Sequence, residues 1–103
     1  MKGGKDILDS ASELIDGERE RDYGDAYMNH LRIAKGWNPI IEEAMLSHGK
    51  VTPAHVALMM DWVKTARLLN TLDHKDSWVD KAGYTALGYE FSHRDAHKKL
   101  ATD

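Results

Sequence analysis

Two groups of charged residues stand at spacings that could do chemistry. Within residues 56–91, VALMMDWVKTARLLNTLDHKDSWVDKAGYTALGYEF, Asp61, Lys64 and Arg67 fall at i, i+3 and i+6, and Asp76 and Asp80 fall at i, i+4. On helices each group lies along one face, and folding the segment into a hairpin lets the two patches meet. Like charges at i, i+4 destabilise an isolated helix by about 0.2–0.5 kcal/mol, so Asp76 and Asp80 require a cation. Magnesium is one candidate, because it takes oxygen ligands and is often held by one or two carboxylates plus substrate phosphates. A basic side chain (Lys64, Arg67, Lys75 or Lys81) in a plain surface network is the other. Lys64 and Arg67 interrupt a strongly apolar helix, where an unpaired buried charge would cost far more than it returns. They need water, a carboxylate such as Asp76 or Asp80, or an anionic ligand, and the donor fork of Arg suits phosphate.

The remaining polar groups carry weaker signals. Glu18, Arg19, Glu20, Arg21 and Asp22 alternate in sign between Gly17 and Gly24. That pattern is a solvated charged turn, or a flap whose Arg19 or Arg21 reaches a phosphate. The six histidines form no HExxH pattern; His93 and His97 are i, i+4 on a polar tail, and His74 precedes Asp76 by two. Without GxxxxGK[ST], GxGxxG or GxSxG, Walker, Rossmann and hydrolase-elbow chemistry have no support. Met59, Met60 and Trp62 fit a core or a subunit interface better than a ligand pocket.

Helices must position these groups. Ile7, Leu8, Ala11, Leu14 and Ile15 make an amphipathic stripe over residues 6–16, closed by Gly17. Residues 17–25 form a charged connector in which Asp25 can cap the next helix. Tyr27, Met28, Leu31, Ile33, Ala34 and Trp37 predict a second helix from Ala26, with a kink or break at Pro39 and a resumed helix ending at Gly49. Thr52 followed by Pro53 is the clearest helix start. The helix from there to about Leu72 is apolar nearly all round, as in a helix packed by several partners or a second subunit. Asp76 or Ser77 is the expected cap of a last helix to about His93. Inside it Gly83 and Gly88 each cost about 1 kcal/mol relative to Ala, a cost that close helix approach commonly offsets. No stretch alternates with period two for long enough to be a strand. The expected fold is all-α, a four- to five-helix antiparallel bundle.

The totals agree. At 103 residues the chain is one domain with a small core, which oligomerisation would help. A net charge of −3 and a pI near 6.0 argue against a nucleic-acid surface built on bulk positive charge. The lack of Cys excludes a disulfide framework, a thiolate zinc site and a cysteine nucleophile. No apolar run approaches the roughly 18 residues that span a bilayer, and the N-terminus lacks a signal-peptide core. A soluble cytoplasmic domain without membrane or nucleic-acid partners is expected.

RDYGDAYMNHLRIAKGW, VALMMDWVKTARLL and HKDSWVDKAGYTALGYE together resemble a small phage and prophage family. Asp76, Trp78, Asp80, Gly83 and Tyr84 carry the most specific block. That family is similar to the all-α, MazG-like nucleoside triphosphate pyrophosphohydrolases, which include the dimeric dUTPases. The resemblance implies a phage nucleotide-metabolism protein in the host cytoplasm, a homodimer or homotetramer, and a magnesium-dependent hydrolase or its nucleotide-binding relative. Laid over the family's EExxE and ExxD boxes, Met60 to Lys64 and Ser77 to Asp80 keep only Asp61 and Asp80 as acids, with Asp76 one position away. Lys64 stands where an acid would be and opposes magnesium. The implied roles are Asp61, Asp76 and Asp80 as metal ligands, and Asp61, Lys64, Arg67 and Asp80 as the catalytic set. Lys64 and Arg67 would sit on phosphate oxygens, and Tyr84 or Tyr23 on base or sugar. A non-enzymatic phage protein that binds a host or defence factor through its helical surface is the alternative.

Overall fold

A computed structural model describes residues 3–16 and 25–102, with side chains through Ile15 and from Asp25 to Arg94. The described residues form four helices and no strand: α1 (Gly4–Asp16), α2 (Ala26–His48), α3 (Pro53–Asn70) and α4 (Lys75–Thr102). The expected all-α class holds. The charged connector, with Arg19, Arg21 and Tyr23, lies outside the described residues.

Local chemistry sets most of the helix ends. Asp25 Oδ1 accepts the Tyr27 and Met28 amides at 2.8 and 3.3 Å, satisfying donors that a first turn leaves open. Gly49 ends α2 at φ 72°, a left-handed conformation that costs glycine little. Pro39 does not break α2, contrary to the sequence expectation. Pro39 and Lys35 both face solvent, so water can take up the Lys35 carbonyl that proline leaves without a donor. Thr52 caps α3 reciprocally with His55. The Thr52 amide donates to His55 Nδ1 at 3.2 Å, and the His55 amide reaches Thr52 Oγ1 at 3.5 Å. Thr52→Ala is expected to cost about 1 kcal/mol, read as a Tm lower by roughly 4–8 °C in a thermal melt.

At α4 the expected cap is corrected. The helix begins at Lys75, so neither Asp76 nor Ser77 is the cap. His74 fills that place, its Nδ1 accepting the Ser77 amide at 3.2 Å and the Ser77 hydroxyl at 2.8 Å. Nδ1 can accept an amide only when the imidazole proton sits on Nε2. Asp76 lies exposed in the first turn of α4.

α3 is the central element. α2 packs on it from one side and α4 from the other, and α1 packs on none of these among the described residues. Trp37 Nε1 of α2 donates to the Met59 carbonyl of α3, and Trp62 Nε1 of α3 donates back to the Arg32 carbonyl of α2, each at 2.8 Å. Because 37 meets 59 while 32 meets 62, the two helices run antiparallel. Gly36 makes that approach possible, since a Cβ there would fall inside the Trp62 indole. On the other side a Cβ on Gly88 would stand 3.2 Å from Ala57 Cβ, so Gly88 does serve close approach; one on Gly83 would meet nothing within 4 Å. Among the described residues the buried apolar ones are Ala44, Ala57, Ala66 and Leu68. α3 is therefore not enclosed all round, as its composition predicts for a helix with several partners: Leu58 and Leu69 stay 55% and 58% exposed.

Candidate functional site

The hairpin of α3 and α4 brings the two charged patches together. Lys64 Nζ of α3 lies 3.1 Å from Asp80 Oδ2 of α4. Lys81 Nζ of α4 grips Asp61 of α3 at 3.0 Å to Oδ1 and 3.1 Å to Oδ2, and also donates to Thr65 Oγ1 at 2.5 Å. Each helix carries its acid before its base along the chain, so only an antiparallel register with this offset pairs both. The side chains of Lys64, Lys81 and Asp61 are 21%, 22% and 29% exposed, whereas Asp80 is 48% exposed. The Asp61–Lys81 pair is thus the more sheltered lock, and Lys64–Asp80 the one nearer water.

Sheltering decides what a single deletion costs. Breaking a fully buried pair by removing one partner costs about 3–5 kcal/mol. With more than a fifth of each side chain in solvent, Asp61→Ala is expected to cost about 1–2 kcal/mol after discounting for screening. Replacing both partners, Asp61→Leu with Lys81→Met, should recover most of that loss, because neither side chain then lacks its countercharge. Urea unfolding of the three variants against the parent checks both statements.

Of the residues singled out from the sequence, Asp61, Lys64 and Asp80 gather on this seam. Arg67 is half-buried one turn beyond Lys64, and Tyr84 is half-buried one turn beyond Lys81. Arg19, Arg21 and Tyr23 lie outside the described residues. Among the described residues no three or more His, Asp or Glu side chains are grouped to hold a metal ion. As arranged, the acid set fits lysine ammonium groups rather than magnesium: both Asp61 oxygens face Lys81, and an Asp80 oxygen faces Lys64.

The sequence pattern did not single out Lys81 as the partner of Asp61, nor Thr65 as its companion. A signal existed. Once Lys64 is set against Asp80, Asp61 comes level with α4 about one turn further on, where Lys81 is the only base within reach in the sequence. Asn29 was also missed. It is 8% exposed, and its Oδ1 is buried without a hydrogen-bond partner among the described residues. Nothing in its spacing marks it, because it falls on the apolar face of α2.

Fold and site thus define an all-α protein whose central helix is cross-locked to its neighbour by two ion pairs. The chain belongs to the family described as "Domain of unknown function (DUF6378)", which matches residues 6–92. It is similar to the "Gene 55 protein" of Mycobacterium phage L5, with 43% identity over 81 residues, covering 79% of this chain and 49% of that protein. The "Gene 55 protein" of Mycobacterium phage D29 is 36% identical over 78 residues, 76% of this chain and 48% of that protein. The chain spans about half the length of these curated relatives. No solved structure matches it. The expected phage family is therefore shown, while neither the family nor the relatives name an activity. Among the described residues no helix is long and apolar enough to cross a membrane.

Proposed function

We propose that the chain binds a nucleotide or another phosphorylated small molecule along the α3–α4 seam, as a nucleotide-binding relative of the MazG-like hydrolases rather than a metal-loaded one. The observation that carries the reading is the Lys64–Asp80 pair: a cation at 3.1 Å from a carboxylate that is itself 48% exposed. A phosphate arriving from solvent can replace that carboxylate on Lys64, exchanging one anion for a more highly charged one. Arg67, one turn further along α3, adds a donor fork for the same phosphate group. Tyr84, half-buried on the facing helix, supplies a ring for base or sugar.

The acids then have a definite task. Asp80 holds Lys64 in place while the seam is empty and is displaced by ligand, and Asp61 keeps Lys81 occupied and the two helices in register. Asp80→Asn should therefore raise affinity for phosphates by about tenfold, the equivalent of about 1.4 kcal/mol, by freeing Lys64. Lys64→Met should abolish binding. The experiment is a thermal-shift and pyrophosphate-release panel of NTPs and dNTPs, run with and without magnesium. Stabilisation by at least one nucleotide without magnesium, strengthened in Asp80→Asn and lost in Lys64→Met, supports the reading. No shift with any nucleotide overturns it, and pyrophosphate release only with magnesium replaces it with the hydrolase.

A further inference from the structure

We propose that α1 is a strap that docks on its own chain, closing the open groove of α3 between α2 and α4. α1 runs for 13 residues, and isolated helices shorter than about 12–15 residues are marginal in water even when rich in Ala. Its Ile7 and Leu8 are each 71% exposed, with Leu14 and Ile15 more than half exposed beside them. No other described element packs on α1. A short amphipathic helix of this kind gains stability by docking its apolar stripe, not by propensity.

Two bonds that α3 makes in opposite directions define the groove. Trp62 reaches α2 at the Arg32 carbonyl, while Thr65 Oγ1, one turn on, accepts from the Lys81 ammonium of α4. Leu58 and Leu69 continue the same line, since residues 58, 62, 65 and 69 stand at i, i+4, i+7 and i+11. Both leucines are more than half exposed. Among the described residues α2 and α4 do not pack on each other, and no element crosses between them. α3 thus offers an apolar floor with a helix along either flank. Lys64 stands about 120° round α3 from Leu58, so a docked strap leaves the Lys64–Asp80 pair open to ligand.

Length, direction and reach select α1 as the occupant. Leu58 and Leu69 are about 16 Å apart along α3, and the 13 residues of α1 span about 20 Å. The Trp37–Met59 and Arg32–Trp62 bonds set the register of α2 on α3, and continuing that count brings Ala26 level with Leu69. α1 therefore enters at the Leu69 end, with Ile15 above Leu69, and runs parallel to α3. Residues 17–24 join it to Asp25. A chain of that length reaches up to about 30 Å, well beyond the 8–10 Å between packed helix axes. A tethered helix also docks at a high effective concentration, whereas a foreign helix must give up its freedom to diffuse.

Two measurements on the whole chain test this. Hydrogen exchange should show α1 amides slowed by at least about tenfold against a free helix, equally at every protein concentration. Leu58→Ser with Leu69→Ser should return them to free exchange and leave amides of α2, α3 and α4 unchanged, because both leucines lie at the surface. The chain has no cysteine of its own, so engineered pairs report directly on proximity. Ile15→Cys with Leu69→Cys should form an intrachain disulfide at least about tenfold faster than Ile15→Cys with Tyr27→Cys. Tyr27 is nearer to Ile15 along the chain but lies on the side of α2 opposite Gly36, so tethering alone would favour the second pair. Freely exchanging α1 amides overturn the proposal, and so does a disulfide rate that follows sequence distance. Protection that grows with protein concentration also overturns it, because the cover would then be a second copy. If the serine variant fails to fold, the disulfide comparison decides alone.

Discussion

Gly36→Ala should be the most damaging single-methyl addition in the described part of the chain. In a solvent-facing helix the change would stabilise by about 1 kcal/mol, because Ala is the better helix former. Here the new Cβ would fall inside the Trp62 indole, a rigid ring that cannot turn aside as the tip of a flexible side chain could. Its N–H is also committed to the Arg32 carbonyl at 2.8 Å. α2 and α3 must therefore separate or the indole must leave. Either route forfeits that hydrogen bond, worth about 1 kcal/mol, and adds an overpacking cost of about 1–3 kcal/mol. The net expectation is a loss of about 2 kcal/mol after the helix-propensity gain is subtracted, read as a Tm lower by roughly 8–16 °C. Gly83→Ala is the internal control. A Cβ there meets nothing within 4 Å, so it should stabilise the helix by up to about 1 kcal/mol. Paired melts that showed the same sign for both variants would contradict the packing described between α2 and α3.

His74→Ala should lower stability by about 2 kcal/mol, more than the loss of the Thr52 cap. The imidazole accepts two hydrogen bonds from Ser77, one from its amide and one from its hydroxyl. Ser77 is 1% exposed, so water cannot replace the imidazole, although the Ser77 amide is shared with the His74 carbonyl at 3.2 Å and keeps that acceptor. A lost cap costs about 0.5–2 kcal/mol, and a buried donor left without an acceptor adds about 1–3 kcal/mol where it cannot rearrange. The amide keeps the His74 carbonyl as an acceptor, which holds the sum near the lower end of that range. His74→Asn provides the diagnostic arm, because Asn is among the best residues at a helix start. It should restore at least half of the loss in urea unfolding. An Asn variant no better than Ala would mean that the ring is held for packing and not for its acceptor nitrogen.

The contrast between these residues shows which parts of the fold a sequence displays. Asp25, Gly49 and the Thr52-Pro53 pair announce helix ends because their effect is local: each acts on amides or torsions within three residues. His74 does the same work but goes unmarked, since an imidazole caps only in one tautomer and is not among the usual capping side chains. Pro39 misleads in the opposite direction. Its missing donor is a local fact, but whether a helix breaks depends on whether water reaches the freed carbonyl, and that is settled by which side of α2 faces out. The charged seam was half legible. Helical spacing put Asp61, Lys64 and Asp80 on facing sides, while the offset that gives Asp61 to Lys81 is a property of two helices together. Gly36 was silent, because a glycine in a helix reads only as a cost until the ring that fills its place is known.

The arrangement of the three tryptophans has an experimental consequence. Trp37 and Trp62 each hand their indole proton across the α2–α3 joint, and Trp78 gives its own to the Leu72 carbonyl in the turn before α4 at 2.9 Å. Every indole of the chain therefore reports on one of two connections between neighbouring helices. Three indole resonances in a single spectrum of uniformly nitrogen-15-labelled protein would tell, without any attached probe, which hinge of the molecule gives way first.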